Sequence, residues 1–244
     1  MRNTRVNEKD RLNGVRELLL IQKRQVKRRK SLTFSERERR IVSPIYSAAA
    51  ILPIAYFEIS VETIILRFID EININSYAIE WTKLPQKIRK LHLENAILKL
   101  TNLKENKNIS SEDMKDAIRC IINDVTQPDI VNNYKCDIEE ILKSKSNYNE
   151  SRINDLFNSI GLKDIFSRVY KLKLINLLSR ELIRDKLKEL CDRRDMAAHG
   201  IDILNANITF QSMEEGIDFI DNLSESLILI LEDYLSRIKK VSSI

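Results

Sequence analysis

Apolar residues recur along this chain at intervals of three and four, the spacing that gathers them on one face of a helix. Leu12, Val15, Leu18, Leu19 and Ile21 form a short stripe and predict a first helix from about Glu8 to Lys30. Its residues beyond Gln22 are mostly basic. A second helix is predicted from Ser43-Pro44 to about Ile74, with Ser43 as N-cap, Pro44 at the first helical position and a kink at Pro53. It carries the longest apolar stretch, Ala48 to Phe57, too short by itself to span a bilayer and read as a core segment.

The middle of the chain continues the same pattern. Leu91, Leu93, Ala96, Ile97, Leu100 and Leu103 predict one helix. Ser110 and Asp113 form a capping box in front of a second, which carries Met114, Ala117, Ile118, Ile121 and Ile122. Ile138 to Leu142 predicts a shorter piece, followed by a polar loop from Lys143 to Asn149. Ser151 to Ile160 reads as a short helix stopped by Gly161. Ile165 to Leu178 is open between helix and irregular structure. A strong helix follows from Ser179 to Gly200. Ile208-Thr209-Phe210 suggests a brief extended segment before a last helix, with a capping box at Ser212 and Glu215 and an end near Lys240.

Composition supports an all-α fold. Only four Gly and four Pro occur in 244 residues, far fewer than the turns of an all-β chain require. The expected organisation is a basic N-terminal helical arm over residues 1–40 and a helical domain over 41–244, with residues 75–150 as a helical middle region within it. Three scattered cysteines, no Cys-x-x-Cys pair and two histidines leave a structural zinc site without ligands at usual spacing, so no metal and no cofactor are expected. The odd cysteine count and a beginning without an apolar run suit the cytoplasm, with no membrane partner.

Charge is unevenly distributed. The net charge is +5, yet residues 1–40 hold fourteen Lys or Arg against five acids, while the remainder is acidic on balance. Lys23, Arg24, Lys27, Arg28, Arg29 and Lys30 form the densest cluster. Such a cluster attracts a polyanion such as RNA by counterion release; a solvated helix face is the alternative.

One segment carries candidate chemistry. On the helix ending at Gly200, Ile183, Leu187, Leu190, Cys191 and Ala198 are predicted to share a face, and Arg194 falls near its middle. A guanidinium there must be paired or bind an anion. Glu58 and Glu62, on the apolar second helix, are the internal acids at hand, and an Arg–Glu pair that fixes helix register is the plain structural reading. His199 closes the helix with an imidazole that titrates near neutral pH. Asp192 and Asp195 project toward its side, so either could orient the ring. Arg193 is expected to point elsewhere, toward solvent or phosphate.

The string Asp192-Arg193-Arg194-Asp195-Met196-Ala197-Ala198-His199-Gly200 resembles the signature of the HEPN superfamily: an Arg, a polar residue, an apolar pair, then Ala-His-Gly. Many members carry Asn where Asp195 stands. The segment Ala49 to Glu58, followed by Phe68-Ile69, is similar to the first core helix of the MAE-like bacterial HEPN branch, with its internal glutamate at Glu58. Residues 146–162 resemble the region that precedes the motif helix in that branch. The resemblance implies an antiparallel helical bundle and a homodimer in which two motifs meet in a composite active site. It further implies a metal-independent endoribonuclease of toxin–antitoxin or phage-defence systems, with an antitoxin or second HEPN protein as partner. Arg194 would bind the scissile phosphate, His199 would act as acid or base, and Asp195 would position either one. Glu58 would hold Arg194, and Arg193 would support the site. A non-catalytic HEPN module that binds RNA, a nucleotide or a protein is the alternative.

Overall fold

The computed structural model describes residues 10–21, 36–74, 79, 81–105, 110–126, 136–138, 142, 148–176, 179–200 and 209–242. The fold is all-α, and no strand occurs among the described residues. In chain order the helices are α1 (residues 10–21), α2 (Glu36–Ile74), α3 (Gln86–Glu105), α4 (Ser111–Thr126), α5 (Glu150–Ser159), α6 (Ile165–Leu172), α7 (Arg180–Ala198) and α8 (Phe210–Ser242), with a 3-10 turn at Trp81–Lys83.

One helix start follows the capping chemistry predicted for it, and two more are capped by residues the sequence did not single out as caps. Ser110 Oγ accepts from the Asp113 amide at 3.1 Å and donates to its carboxylate at 2.6 Å, closing the first turn of α4. Asn149 accepts from the Arg152 amide at 2.9 Å at the start of α5, and Ser179 accepts from the Leu182 amide at 3.3 Å at the start of α7. Gly161, at φ +102°, ends the α5 segment as expected. The region from Ile165, open in the sequence, is helical as far as Leu172.

Two predicted starts are displaced. Helix α2 begins at Glu36, so Ser43 is not its cap, and Pro44 and Pro53 both lie inside it. An interior proline costs about 3 kcal/mol through a lost hydrogen bond and a ring clash. Burial of Val42, Tyr46 and Ala49 around Pro44 offsets that cost. Helix α8 begins at Phe210, because Thr209 takes the cap: its Oγ1 accepts from the Ser212 amide at 3.1 Å. Ser212 therefore sits in the first turn, and Phe210 is helical, not extended. The expected Ile138–Leu142 piece lies largely outside the described residues, although the Leu142 amide donates to the Ile138 carbonyl at 3.2 Å in helical fashion. The predicted loop over 143–147 lies outside them altogether.

The packing divides into two compact units, one drawn from Met1–Val61 and Phe166–Ile228, the other from Glu62–Ile165 and Leu229–Ile244. In the first, Leu12, Val15 and Leu19 of α1, Ile54, Phe57 and Val61 of α2, Ile183 and Leu187 of α7, and Ile220, Leu223 and Leu227 of α8 are all buried. Helix α1 is tied to α8 by Arg16, whose Nη2 lies 2.8 Å from Asp218 and 3.5 Å from Asp221. The Arg11 guanidinium sits 5.7 Å from the centre of the Tyr56 ring. Gly216 lets α8 approach α7 closely, since a Cβ there would lie 2.8 Å from Leu190 Cδ2. A mid-helix glycine costs about 1 kcal/mol relative to alanine, so the close approach is what this position supplies.

In the second unit, Phe68 and Tyr234 stack with ring centroids 5.7 Å apart. Tyr234 donates to the Ile160 carbonyl at 3.1 Å, and a Cβ at Gly161 would meet its oxygen at 2.6 Å. His92 is buried, its Nδ1 accepting from the Asp137 amide at 3.1 Å. Asn73 exchanges two hydrogen bonds with the Cys136 backbone, at 2.7 and 2.8 Å.

Helix α2 is longer and more apolar than its ten-residue core suggested. By length and composition alone, Val42–Ile74 could cross a membrane. Its apolar residues Ile54, Phe57, Val61, Ile64, Phe68 and Ile72 recur every three or four positions and are buried.

Candidate functional site

Helix α7 packs through a four-three-four-three sequence of positions: Ile183, Leu187, Leu190, Arg194 and Ala197. The four apolar members are buried. Ala198, expected on this face, is exposed, and Ala197 is buried in its place. A helix packed lengthwise along its neighbours follows a repeat near 3.5 residues, which brings residue 197 and not 198 back to the seam. Arg194 thus occupies a seam position that would ordinarily be apolar.

Its side chain is 15 % exposed, and Nη1 lies 3.3 Å from Glu58 Oε1 on α2. The sequence offered Glu58 and Glu62 as partners, and the structure selects Glu58. Glu62 instead accepts from the buried Tyr148 hydroxyl at 3.0 Å. Asp195 Oδ1 stands 2.7 Å from Arg194 Nε, yet Nε is buried without a hydrogen-bond partner. The carboxylate is therefore an ion-pair partner of Nε without a hydrogen bond along its N–H. The Arg194 guanidinium is held within a seam and flanked by two acids.

His199 is the C-cap of α7 and is exposed. Its amide donates to the Asp195 carbonyl at 3.0 Å, completing the last helical hydrogen bond. Gly200 follows at φ +73°, and its amide donates to the Ala197 carbonyl at 3.1 Å. Five residues after Arg194, the helix has turned by about 140°, so the imidazole leaves the helix away from the seam. Its ring makes no hydrogen bond among the described residues, so neither Asp192 nor Asp195 orients it here.

Arg193 differs from the expectation. It does not point to solvent or stand free for phosphate: its side chain is only 15 % exposed. Nη1 donates to the Ser212 carbonyl at 3.2 Å and reaches the Ser212 hydroxyl at 3.5 Å, while Nη2 pairs with Glu189 one turn earlier. Lys186 donates to the other Glu189 oxygen at 3.0 Å. The i, i+4 pairing of Glu189 with Arg193 was readable in the sequence, but Ser212 was not, because nothing in spacing indicates which residue of another helix meets this one. Lys23, Arg24, Lys27, Arg28, Arg29 and Lys30 lie outside the described residues. Among the described residues, no group of three or more His, Cys, Asp or Glu is placed to hold a metal ion.

Arg194, mostly buried, pairs with Glu58 of α2, and His199 and Gly200 close α7. The family model RiboL-PSP-HEPN matches residues 10–233, nearly the whole chain. The chain belongs to the RiboL-PSP-HEPN family. The match places it in the HEPN superfamily and identifies it as a HEPN-type module. No curated protein and no solved structure matches it. Within this HEPN chain, α2 supplies Glu58, the last two turns of α7 supply Arg193, Arg194 and Asp195, and its C-cap is His199.

Proposed function

We propose that this HEPN protein is a metal-independent endoribonuclease, acting in the cytoplasm as a toxin or phage-defence effector. The observation that carries the reading is Arg194 itself: a guanidinium held by Glu58 in a helix seam, five residues before an exposed histidine. An arginine in that place stays charged throughout the physiological pH range and can bind a phosphate bidentately.

Cleavage through the substrate's own 2′-hydroxyl follows from such groups. The 2′-oxygen attacks the adjacent phosphorus and the bond to the 5′-oxygen breaks. One imidazole accepts the 2′-proton, and a second group donates a proton to the departing 5′-oxygen. The products are a 2′,3′-cyclic phosphate and a 5′-hydroxyl. Arg194 stabilises the charge on the phosphorane oxygens, and its guanidinium stays charged throughout. Asp195, more than half exposed beside Nε, positions the arginine as phosphate arrives. Each chain brings one motif histidine, so acid and base together call for two chains. We therefore propose a homodimer with a composite site, and an antitoxin or second HEPN protein as the silencing partner. The basic residues Lys23 to Lys30 provide non-specific attraction for RNA.

A second reading is favoured by one observation. Glu58 and Asp195 already neutralise Arg194 in the single chain, as they would in a non-catalytic module that binds RNA, a nucleotide or a protein. Incubation of the purified protein with RNA and with DNA of the same sequence separates the two. The ribonuclease reading expects RNA cleavage, cyclic-phosphate ends, no DNA cleavage, and loss of at least a hundredfold in rate in Arg194→Ala and in His199→Ala. Equal cleavage by wild type and both variants would sink it.

A further inference from the structure

The contact between α7 and α8 has a polar half and an apolar half. Leu190 packs against Gly216, and one turn further along α7 Arg193 reaches Ser212, one turn back along α8. The two contacts advance in opposite directions along the chain, so these stretches run antiparallel. Between them lies a small apolar recess lined by Ala49, Pro53, Leu190, Met213 and Ile217, with Arg193 on its border. Arg193 is therefore the tie between α7 and α8 that stands next to the motif arginine.

The electrostatics point the same way. Ser212 lies in the first turn of α8, the positive end of its dipole, where a cation is disfavoured. Glu189 compensates by pairing with Arg193, and Lys186 holds the other oxygen of that carboxylate. A planar guanidinium can serve the Glu189 carboxylate and the Ser212 carbonyl together with its two terminal nitrogens; an ammonium is a single point of charge on a flexible stem. A residue bound on both sides in this way is already committed and is not offering its charge to a ligand.

We propose that Arg193 is a positioning residue of the HEPN site. It locks the register of α7 against the start of α8 and so fixes where Arg194 and His199 stand relative to each other and to Glu58. The proposal rests on the ribonuclease reading for its consequence in activity, and on the packing alone for its consequence in structure. It differs from a phosphate-binding role, in which Arg193 would touch the RNA.

The test uses the full chain with Arg193→Ala and Arg193→Lys. Amide hydrogen exchange over residues 194–200 reads the lock without reference to activity; cleavage of a single-stranded RNA, across a salt series, reads its effect on the site. In Arg193→Ala, exchange at these amides is expected to quicken about tenfold and kcat to fall about ten- to a hundredfold. KM and the salt dependence of RNA binding are expected to stay at wild-type values. Arg193→Lys, which keeps the Glu189 pair but not the double contact, recovers only part of kcat, and it carries the test if the alanine variant fails to fold. A raised KM with the salt slope reduced by about one phosphate contact would show that Arg193 binds RNA and would overturn the proposal. So would unchanged exchange in both variants, or full recovery of kcat by lysine. If the wild type cleaves no RNA, the ribonuclease reading fails while the exchange arm still decides the lock.

Discussion

At the scale of single residues, the site turns on where a charge is placed. Arg194 and Glu58 are 15 % and 20 % exposed, so water screens their pair only in part. Breaking such a pair leaves one ion poorly solvated, whereas an exposed pair contributes little either way. Glu58→Ala is therefore expected to lower stability by about 2 kcal/mol, read as a reduced midpoint in urea at unchanged slope. An unchanged midpoint would mean that Asp195 alone satisfies the guanidinium. The sequence showed that Arg194 needed an acid and narrowed the choice to Glu58 and Glu62. Tyr148, eighty-six positions from Glu62, is what separates them, because it takes Glu62 for itself. A contact of that range leaves no trace in local spacing.

At the scale of elements, helix ends decide the geometry. Ser110 caps its helix through the hydrogen bonds its capping box predicts, and Ser179 and Asn149 cap theirs within two residues of the expected starts. The starts of α2 and α8 were not legible. Pro44 reads as a helix start by propensity, whereas the burial of Val42 and Tyr46 on either side of it favours a helix that runs through. Thr209 and Ser212 are both competent caps, and local sequence does not rank them. The start of the motif helix also has a measurable signature. Arg180 beside Glu181, then the helix backbone and Ser179, lower the Glu181 pKa from 4.5 to about 2. A lowered carboxylate pKa adds stability above its unfolded value that is lost as pH falls. The wild type should thus lose part of its stability between pH 4.5 and 2, and Glu181→Gln should flatten that part of the acid limb. An acid limb identical in the two proteins would contradict this.

At the scale of the whole molecule, the class was readable and the subdivision was not. Few glycines, few prolines and apolar spacings of three and four specify an all-α chain. The two compact units divide within α2, between Val61 and Glu62, and within α8, between Ile228 and Leu229. Helical periodicity continues unbroken across both points, so no break in pattern marks them. The buried stripe of α2 from Ile54 to Ile72 is likewise one pattern in the sequence, although its residues belong to two packing groups. The motif itself was legible because its parts lie within a single helix end.

The arginine in the seam of α7 has a further consequence. Four of the five seam positions are filled by buried aliphatic side chains, and the fifth by a charge that must be compensated. Replacing a compensated inner pair with hydrocarbon of similar volume is often stabilising, by about 1–4 kcal/mol. The double variant Glu58→Met, Arg194→Leu should therefore melt above the wild type, and a melting point below the wild type's would refute this. On the proposed ribonuclease reading, the natural chain gives up thermal robustness at one helix position in return for reactivity, and a screen for hardier variants would select against the site first.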